Sequence, residues 1–571
     1  MILNLIHRYQ DHENRFEFQQ DIAHRLGLKV TVPIPSGILC DEYLAEINRF
    51  ISDSETYGDE LVLWPESYDE KLGGFVWLLS EADKRRSIEC AVQKFKKYIG
   101  YAPKAIMNYV LDYREIEMIK EICPEVQTIA AGCFEEGTKV YHGCNNSWYL
   151  FSEGMSWNPW YPSKTHSLRP AKNPDDWSGV VAVPHLSRDM ALAFESRNDF
   201  FASHPPNIQR GLVNEEMNHN YDYNLADQYR LQEDFNDGFS YYQIHVSPSW
   251  LSKCACVTDC DEITQKMYME QLEYMAELKK QGDVTDMTLS EFGKYYRDNI
   301  PIEKPTVGVA KEILFGSGKH YFWIFNPAYR ILVDCNQGGS FGDLRPYNGE
   351  FSAFTGADSP MREMHSYPYL IQSQLRTGVK THHRDGSRTT LLVKYKDEEV
   401  DCCFIQSKIE NVKRVNNDVI LTLTPYDICF SNGVKVKLQT EYRFINDGRI
   451  YIMRKIINKP NDADIELCEY FKGCYGFTEY SEDMKGITLY ADGKSIKFGY
   501  LSREIKVENG KCVGAIIPQV SSRVEMTSDS ALSAEVKAVE GYLFNPYYTM
   551  EISYKIRDEK ECVTCLNIMK E

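Results

Sequence analysis

Before residue 305 the apolar residues fall into short runs separated by longer stretches of helical period. Residues 2–7, 28–32, 61–64, 105–110, 126–131, 180–184 and 239–246 read as strands. Between them the apolar positions recur every three to four residues. This predicts helices over 15–26, from Asp41 as N-cap through Leu44, Ile47 and Ile51, over 80–99 up to Gly100, and from Asp112 through Ile116, Ile119 and Ile122. Further helices are expected over 189–201 and over 262–280 up to Gly282, and the Thr288-Leu289-Ser290-Glu291 capping box opens a last one. Strands apolar along their whole length are buried on both faces, as in parallel sheets. The alternation predicts a (β/α)7–8 barrel over residues 1–305 as the catalytic domain, with its chemistry at the C-terminal ends of the strands.

After Lys304 the helical periods vanish. Short alternating segments follow, punctuated by Asn417-Asp418, Asn432-Gly433, Asp447-Gly448 and Asp492-Gly493. Turn dipeptides between alternating runs make hairpins. Residues 306–571 are therefore expected to form a C-terminal antiparallel β-sandwich, an accessory domain to the barrel. The Gly- and Pro-rich stretch from Gly338 to Pro360 reads as a long connection. The fold class expected is α/β plus all-β.

Composition narrows the function classes. The 571 residues are 43% hydrophobic, and 64 Lys and Arg against 83 Asp and Glu leave a net charge of −19. That balance disfavours nonspecific binding to nucleic acid or anionic membranes, which needs basic patches. No run of 18 apolar residues spans a membrane, and the apolar start at Ile2 lacks the basic flank and cleavage site of a signal peptide. The 17 cysteines, many inside apolar runs, suit reduced thiols in a cytoplasmic protein. The clusters Cys254/Cys256/Cys260 and Cys562/Cys565 lack a second pair at zinc-site spacing, so neither a metal nor another cofactor is expected.

The candidate chemistry lies in the first half. The run Gly58-Asp59-Glu60-Leu61-Val62-Leu63-Trp64-Pro65-Glu66 is a strand that ends in an acid with no helix start beside it. Other strand-end carboxylates are Asp11, Asp112, Glu135, Glu136 and Asp189, with Glu153 and Glu215 on longer loops. Asp112 also stands where a helix N-cap belongs, and Asp189 in a helical first turn. Four of the eight tryptophans lie between Trp148 and Trp177. Flat rings beside polar groups suit a sugar, whose apolar faces stack while its hydroxyls are read. Glycoside hydrolysis needs two carboxyls facing one bond. Glu66 with Asp112 or Asp189 is the expected catalytic set. His7, Asp11, Trp64, Tyr109, Trp157, Trp160, Tyr161 and His185 are expected to bind a carbohydrate substrate.

Three stretches carry a resemblance. Gly27-Leu28-Lys29-Val30-Thr31, Gly58 to Trp64, and Tyr98 to Lys120 are similar to strand and loop segments of the polysaccharide deacetylase superfamily and its related barrel glycoside hydrolases. The β-rich half resembles the galactose-mutarotase-like sandwich that follows the barrel in some sugar hydrolases, and the two-part design resembles a bacterial family. The resemblance implies a carbohydrate-active enzyme. It departs from the deacetylases in the metal ligands. No two of the thirteen histidines are four residues apart, and Trp64-Pro65-Glu66 stands where the histidine pair begins. The hydrolase branch is therefore preferred. A deacetylase with an altered metal set such as His7, Asp11 and His185 is the first alternative, and a non-catalytic sugar-binding protein the second. The sequence does not fix the sugar, the linkage or the oligomeric state.

Overall fold

The computed structural model describes residues 1–10, 14–65, 79–134, 158–195, 220–252, 261–348, 370–372, 387–461, 463–473, 486–497, 502–539, 547–556 and 561–571, with isolated positions 76, 205 and 208. The chain divides into two compact units. The first comprises Met1–Ile302, Ile313–Gly316 and Phe351–Met364; the second comprises Glu303–Glu312, Ser317–Glu350 and His365–Glu571.

The first unit is built on a parallel sheet. Its strands are β1 (Ile2–Ile6), β2 (Thr31–Pro35), β3 (Glu60–Trp64), β4 (Ala105–Leu111) and β5 (Thr128–Phe134). A two-strand ribbon follows, β6 (Pro162–Ser163) and β7 (His166–Pro170), then β8 (Val181–Pro184), β9 (Tyr241–His245) and the short β10 (Thr285–Asp286). The order is β9-β1-β2-β3-β4-β5-β8, with β10 beside the start of β1. Helices α1 (Arg15–Leu26), α2 (Leu44–Tyr57), α3 (Glu81–Ile99) and α4 (Tyr113–Ile122) fill the crossovers. Tyr221–Arg230, Asp261–Gln281 and Leu289–Asn299 are further helices.

Among the described residues the ladder is a half-barrel, and the (β/α)7–8 barrel expected is not seen to close. No ladder joins β8 to β9 among the described residues. Pro184, which has no N–H, ends β8, and the chain then crosses to β9 with one backbone bond, Ser187 N to Gln243 O at 2.9 Å. The Ser187 hydroxyl takes the Gln243 N–H at 2.9 Å.

Several element boundaries also move. The second strand is Thr31–Pro35, not 28–32. Thr31 and the prolines 33 and 35 point their backbone groups toward β1, and pairing with β1 ends at Ile6–Thr31. The prolines therefore forfeit no ladder bond. Asp41 does not cap α2: it opens a 3-10 turn, Asp41–Tyr43, and accepts from the Tyr98 hydroxyl at 2.8 Å. Of the helix expected over 189–201, the turn Leu192–Glu195 is described and 196–201 lie outside the described residues.

The helix Leu289–Asn299 lies across the N-terminal ends of the strands. Leu289 N donates to Thr31 Oγ1 at 3.0 Å and Ser290 N to Glu60 Oε2 at 2.8 Å, both at strand starts. Its Leu289, Phe292 and Tyr296 join Ile2, Ile6, Val62, Met107, Ala130, Val183 and Tyr241 in one core on the inner face of the sheet. One end of the half-barrel is thereby filled, which leaves the C-terminal ends of the strands for function.

The second unit is antiparallel throughout its described ladders, in sheets of five, six and ten strands. Asp447-Gly448 joins Lys435–Phe444 to Arg449–Asn458 as a hairpin, and Asp492-Gly493 joins Thr488–Ala491 to Lys494–Lys497. The stretch read as a connection from Gly338 contains a buried strand, Ser340–Pro346, and residues 349–360 lie outside the described residues. Its polar residues hid it: Asp343 is buried between Arg330 and Arg345, at 2.9 and 3.0 Å. Cys562 and Cys565 stand an odd number apart on the strand Glu561–Lys570, on opposite faces. Cys254, Cys256 and Cys260 lie outside the described residues. No described helix is long and apolar enough to cross a membrane.

Candidate active site

Side chains an even number of residues apart on a strand share a face. Ile6, Val62, Val183 and Tyr241 point into the inner core. Continuing each strand by even steps toward its C-terminal end reaches Arg8, Trp64, His185, and Gln243 with His245. These five side chains are buried. At the C-terminal ends of the strands Arg8 meets Trp64, and His185 meets His245.

Their contacts tie the strands together. The Arg8 guanidinium lies over the Trp64 ring, 5.0 Å from its centroid, and Arg8 Nη2 donates to Ser247 Oγ at 2.7 Å. A cation on an indole face is favourable, more so when both are desolvated. Ser247 donates in turn to Gln10 Oε1 at 2.5 Å and sits 2.9 Å from Ser249 Oγ. The His185 and His245 rings stand edge to face, with centroids 5.7 Å apart. His245 Nδ1 lies 3.1 Å from the His185 carbonyl oxygen. A carbonyl only accepts, so Nδ1 carries the proton and Nε2 presents a lone pair. Burial first, and the neighbouring Arg8 charge second, hold the His245 imidazole well below its ordinary pKa. It is a neutral acceptor.

The residues proposed from sequence are distributed differently. Trp64 and His185 belong to this group. His7 is one residue out of step and faces the helices, with Nδ1 2.5 Å from Gln20 Oε1 and Nε2 2.5 Å from the Tyr268 hydroxyl. Asp112 caps α4, accepting from Glu115 N at 2.9 Å. Asp189 is buried; its Oδ1 accepts from Ala191 N and Leu192 N, each at 3.0 Å, and Oδ2 from the Tyr221 hydroxyl at 3.2 Å. Trp160 pairs its backbone with Ala182 and donates its indole N–H to Ser167 O at 2.8 Å. Tyr161 is in the inner core on the filled side, donating to Tyr296 O at 3.0 Å and Ile300 O at 2.8 Å. Neither ring is a free stacking platform. Tyr109 lies on β4, and nothing of its side chain is described. Glu66, Asp11 and Trp157 lie outside the described residues, as do Glu135, Glu136, Glu153 and Glu215.

Arg8, Gln243, His245 and Ser247 were not singled out from sequence. Strand parity was the available signal: two residues past Ile6, and two and four past Tyr241. Together the group offers a cation packed on an indole, a neutral imidazole acceptor and hydroxyls; the Trp64 ring, fully buried beside Arg8, is not a free stacking face either. Among the described residues no three His, Cys, Asp or Glu side chains are grouped to hold a metal.

Residues 38–306 match the family model of a domain of unknown function with a solved structure, DUF3863. No curated protein matches the chain. Among solved structures, 4-α-glucanotransferase from Thermococcus litoralis is similar at 11% identity and a TM-score of 0.32, covering 100% of this chain and 99% of that one. A galactose mutarotase-like protein from Clostridium acetobutylicum is similar at 10% identity and a TM-score of 0.30, covering 46% of this chain and 98% of that one. Another, from Lactobacillus casei, is 8% identical with a TM-score of 0.29, covering 44% and 100%.

Proposed function

We propose that this protein is a carbohydrate-processing enzyme that hydrolyses a glycosidic bond at the C-terminal strand ends of its half-barrel. The observation that carries the reading is the convergence of Arg8, Trp64, His185 and His245 at the C-terminal strand ends, with the other end filled by the helix Leu289–Asn299. Trp64 leads through Pro65 directly into Glu66, so the acid follows the indole in the chain. Glu66 is the carboxyl assigned to catalysis, with Asp112 or Asp189 as its partner. Asp112 is held by the Glu115 N–H and Asp189 by the Ala191 and Leu192 N–H groups, and in this reading the partner acts as base or nucleophile. Glu66 then supplies the proton to the leaving oxygen. Asp11, Tyr109 and Trp157 stay with the mouth in this reading, whereas His7, Trp160 and Tyr161 belong to the framework. A metal set of His7, Asp11 and His185 is disfavoured, because both His7 ring nitrogens already have partners.

The test is a screen of aryl glycosides and natural oligosaccharides, with and without chelator. Turnover should persist in chelator and fall by about 10²–10⁴-fold in Glu66→Gln. A Glu66→Gln enzyme at full rate, or acetyl release that the chelator abolishes, rejects the assignment.

A further inference from the structure

We propose that Gln243 and His245 form a subsite that reads a hydroxyl edge of the sugar, in the gap where the sheet fails to close. The inference rests on the carbohydrate reading above and adds the residues that select among sugars.

Both residues sit on β9 with side chains on the inner face, two positions apart, or about 7 Å along the strand. Each is spent at one end and unmatched at the other. Gln243 accepts from the Tyr241 hydroxyl through Oε1, and its Nε2 has no partner among the described residues. His245 is held through Nδ1 by the His185 carbonyl, and its Nε2 likewise has none. Gln243 is 1% exposed and His245 6%, so bulk water does not serve them. A buried polar group without a partner costs about 1–3 kcal/mol. Two on one face of one strand, beside a small recess at the strand edge that they line with Leu186, Ser187, Tyr242 and Gln271 and that has room for about one hydroxyl-sized group, point to a group that completes both.

The two unmatched atoms are of opposite kind. Gln243 Nε2 donates and His245 Nε2 accepts. A metal ion would meet the amide hydrogens, and an anion would meet the imidazole lone pair. A hydroxyl satisfies both, donating to His245 and accepting from Gln243, either through one oxygen or through two neighbouring oxygens of a diol. The ladder is interrupted beside this pair: after Pro184, Ser187 takes the Gln243 backbone N–H and C=O that a strand partner would have used. The gap and the unmatched pair are therefore one feature.

The experiment uses the full chain. Methyl glycosides of glucose, galactose and mannose are titrated by calorimetry, and the tightest is then replaced by its single-deoxy forms. The wild type should lose about tenfold or more in affinity for one deoxy form, the worth of one or two buried hydrogen bonds. Gln243→Leu and His245→Leu should bind the parent sugar about as weakly as the wild type binds that deoxy form, and should no longer distinguish the two. His245→Gln, which keeps an acceptor, should retain part of the discrimination and covers the case in which the leucine variants fail to fold. Equal deoxy discrimination in wild type and variants overturns the proposal, as does failure of the wild type to bind any of the three glycosides. The two readings separate cleanly. Hydrolysis lost in Glu66→Gln with an unaltered deoxy pattern in the β9 variants leaves the enzyme and removes the subsite. An altered deoxy pattern in a protein that hydrolyses nothing leaves the subsite and removes the hydrolase.

Discussion

His7 and His166 are buried imidazoles, and burial pushes both pKa values down to about 3. At His7 the Gln20 hydrogen bond opposes that shift only in part, and the positive potential of His24 adds to it. At His166 the Arg169 charge adds to it. An unfolded histidine titrates near 6.5. Between about 6.5 and 3 the unfolded chain therefore binds protons that the folded chain refuses. The stability due to each neutral ring is fully present above about pH 6.5 and falls as pH drops, by up to about 1.4 kcal/mol per pH unit per histidine. The urea midpoint should be lower at pH 5 than at pH 7.5. His7→Gln should be less stable at pH 7.5, because two fitted hydrogen bonds are disturbed, yet should show a shallower pH dependence by about one proton. A variant as steep as the wild type would mean that His7 is not held neutral.

The helix Leu289–Asn299 seals one end of the half-barrel because a single position on it has no side chain. A Cβ on Gly293 would stand 1.8 Å from Thr128 Oγ1 and 3.0 Å from Thr128 Cβ, at the start of β5. Alanine in place of a helical glycine gains about 1 kcal/mol of propensity, whereas overpacking a core costs about 1–3 kcal/mol. At 1.8 Å the overlap wins, since rotating the threonine brings its methyl group, already at 3.3 Å, toward the same space. Gly293→Ala should lower the denaturation midpoint, and adding Thr128→Ala should recover part of the loss. Additive losses would show that the helix does not press on β5. Elements such as this helix were legible in the sequence, because the capping box Thr288-Glu291 and the apolar positions Leu289, Phe292 and Tyr296 announce it locally. What stayed hidden depended on partners distant in sequence. The prolines of β2 looked like a stop until the end of pairing with β1 was seen. The strand Ser340–Pro346 looked like a loop because Asp343 and Arg345 neutralise each other inside. Trp64 and His185 were legible as strand-end residues, but their grouping with Arg8 and His245 required the order of the sheet.

At the scale of the whole molecule, each unit keeps a buried ion pair in its interior. In the first, Lys84 of α3 faces Glu115 of α4 at 3.4 Å, and Glu115 also accepts from Asn108 of β4 at 3.0 Å. In the second, Arg454 on the ten-stranded sheet meets Glu469 on the six-stranded sheet in a two-point contact, Nε to Oε1 at 2.5 Å and Nη2 to Oε2 at 2.9 Å. Arg454 Nη1 also donates to Thr440 Oγ1 at 2.7 Å. The forked geometry fixes the register of one sheet on the other, which apolar contacts alone leave freer to slide. Desolvation makes such a pair a poor source of net stability, but breaking it strands a charge. Arg454→Met should therefore cost about 3–5 kcal/mol, since Glu469 remains buried without its counter-ion. The double variant Arg454→Met, Glu469→Leu should regain most of that loss, because no charge is left to solvate. If the pair instead serves register, the double variant should unfold less cooperatively than the wild type, with a smaller denaturant m value, despite its recovered midpoint. Denaturation of the two variants beside the wild type separates the cases: a double variant as weak as Arg454→Met shows that the pair itself supplies stability. A recovered midpoint with a wild-type m value shows that the sheets keep their register without it.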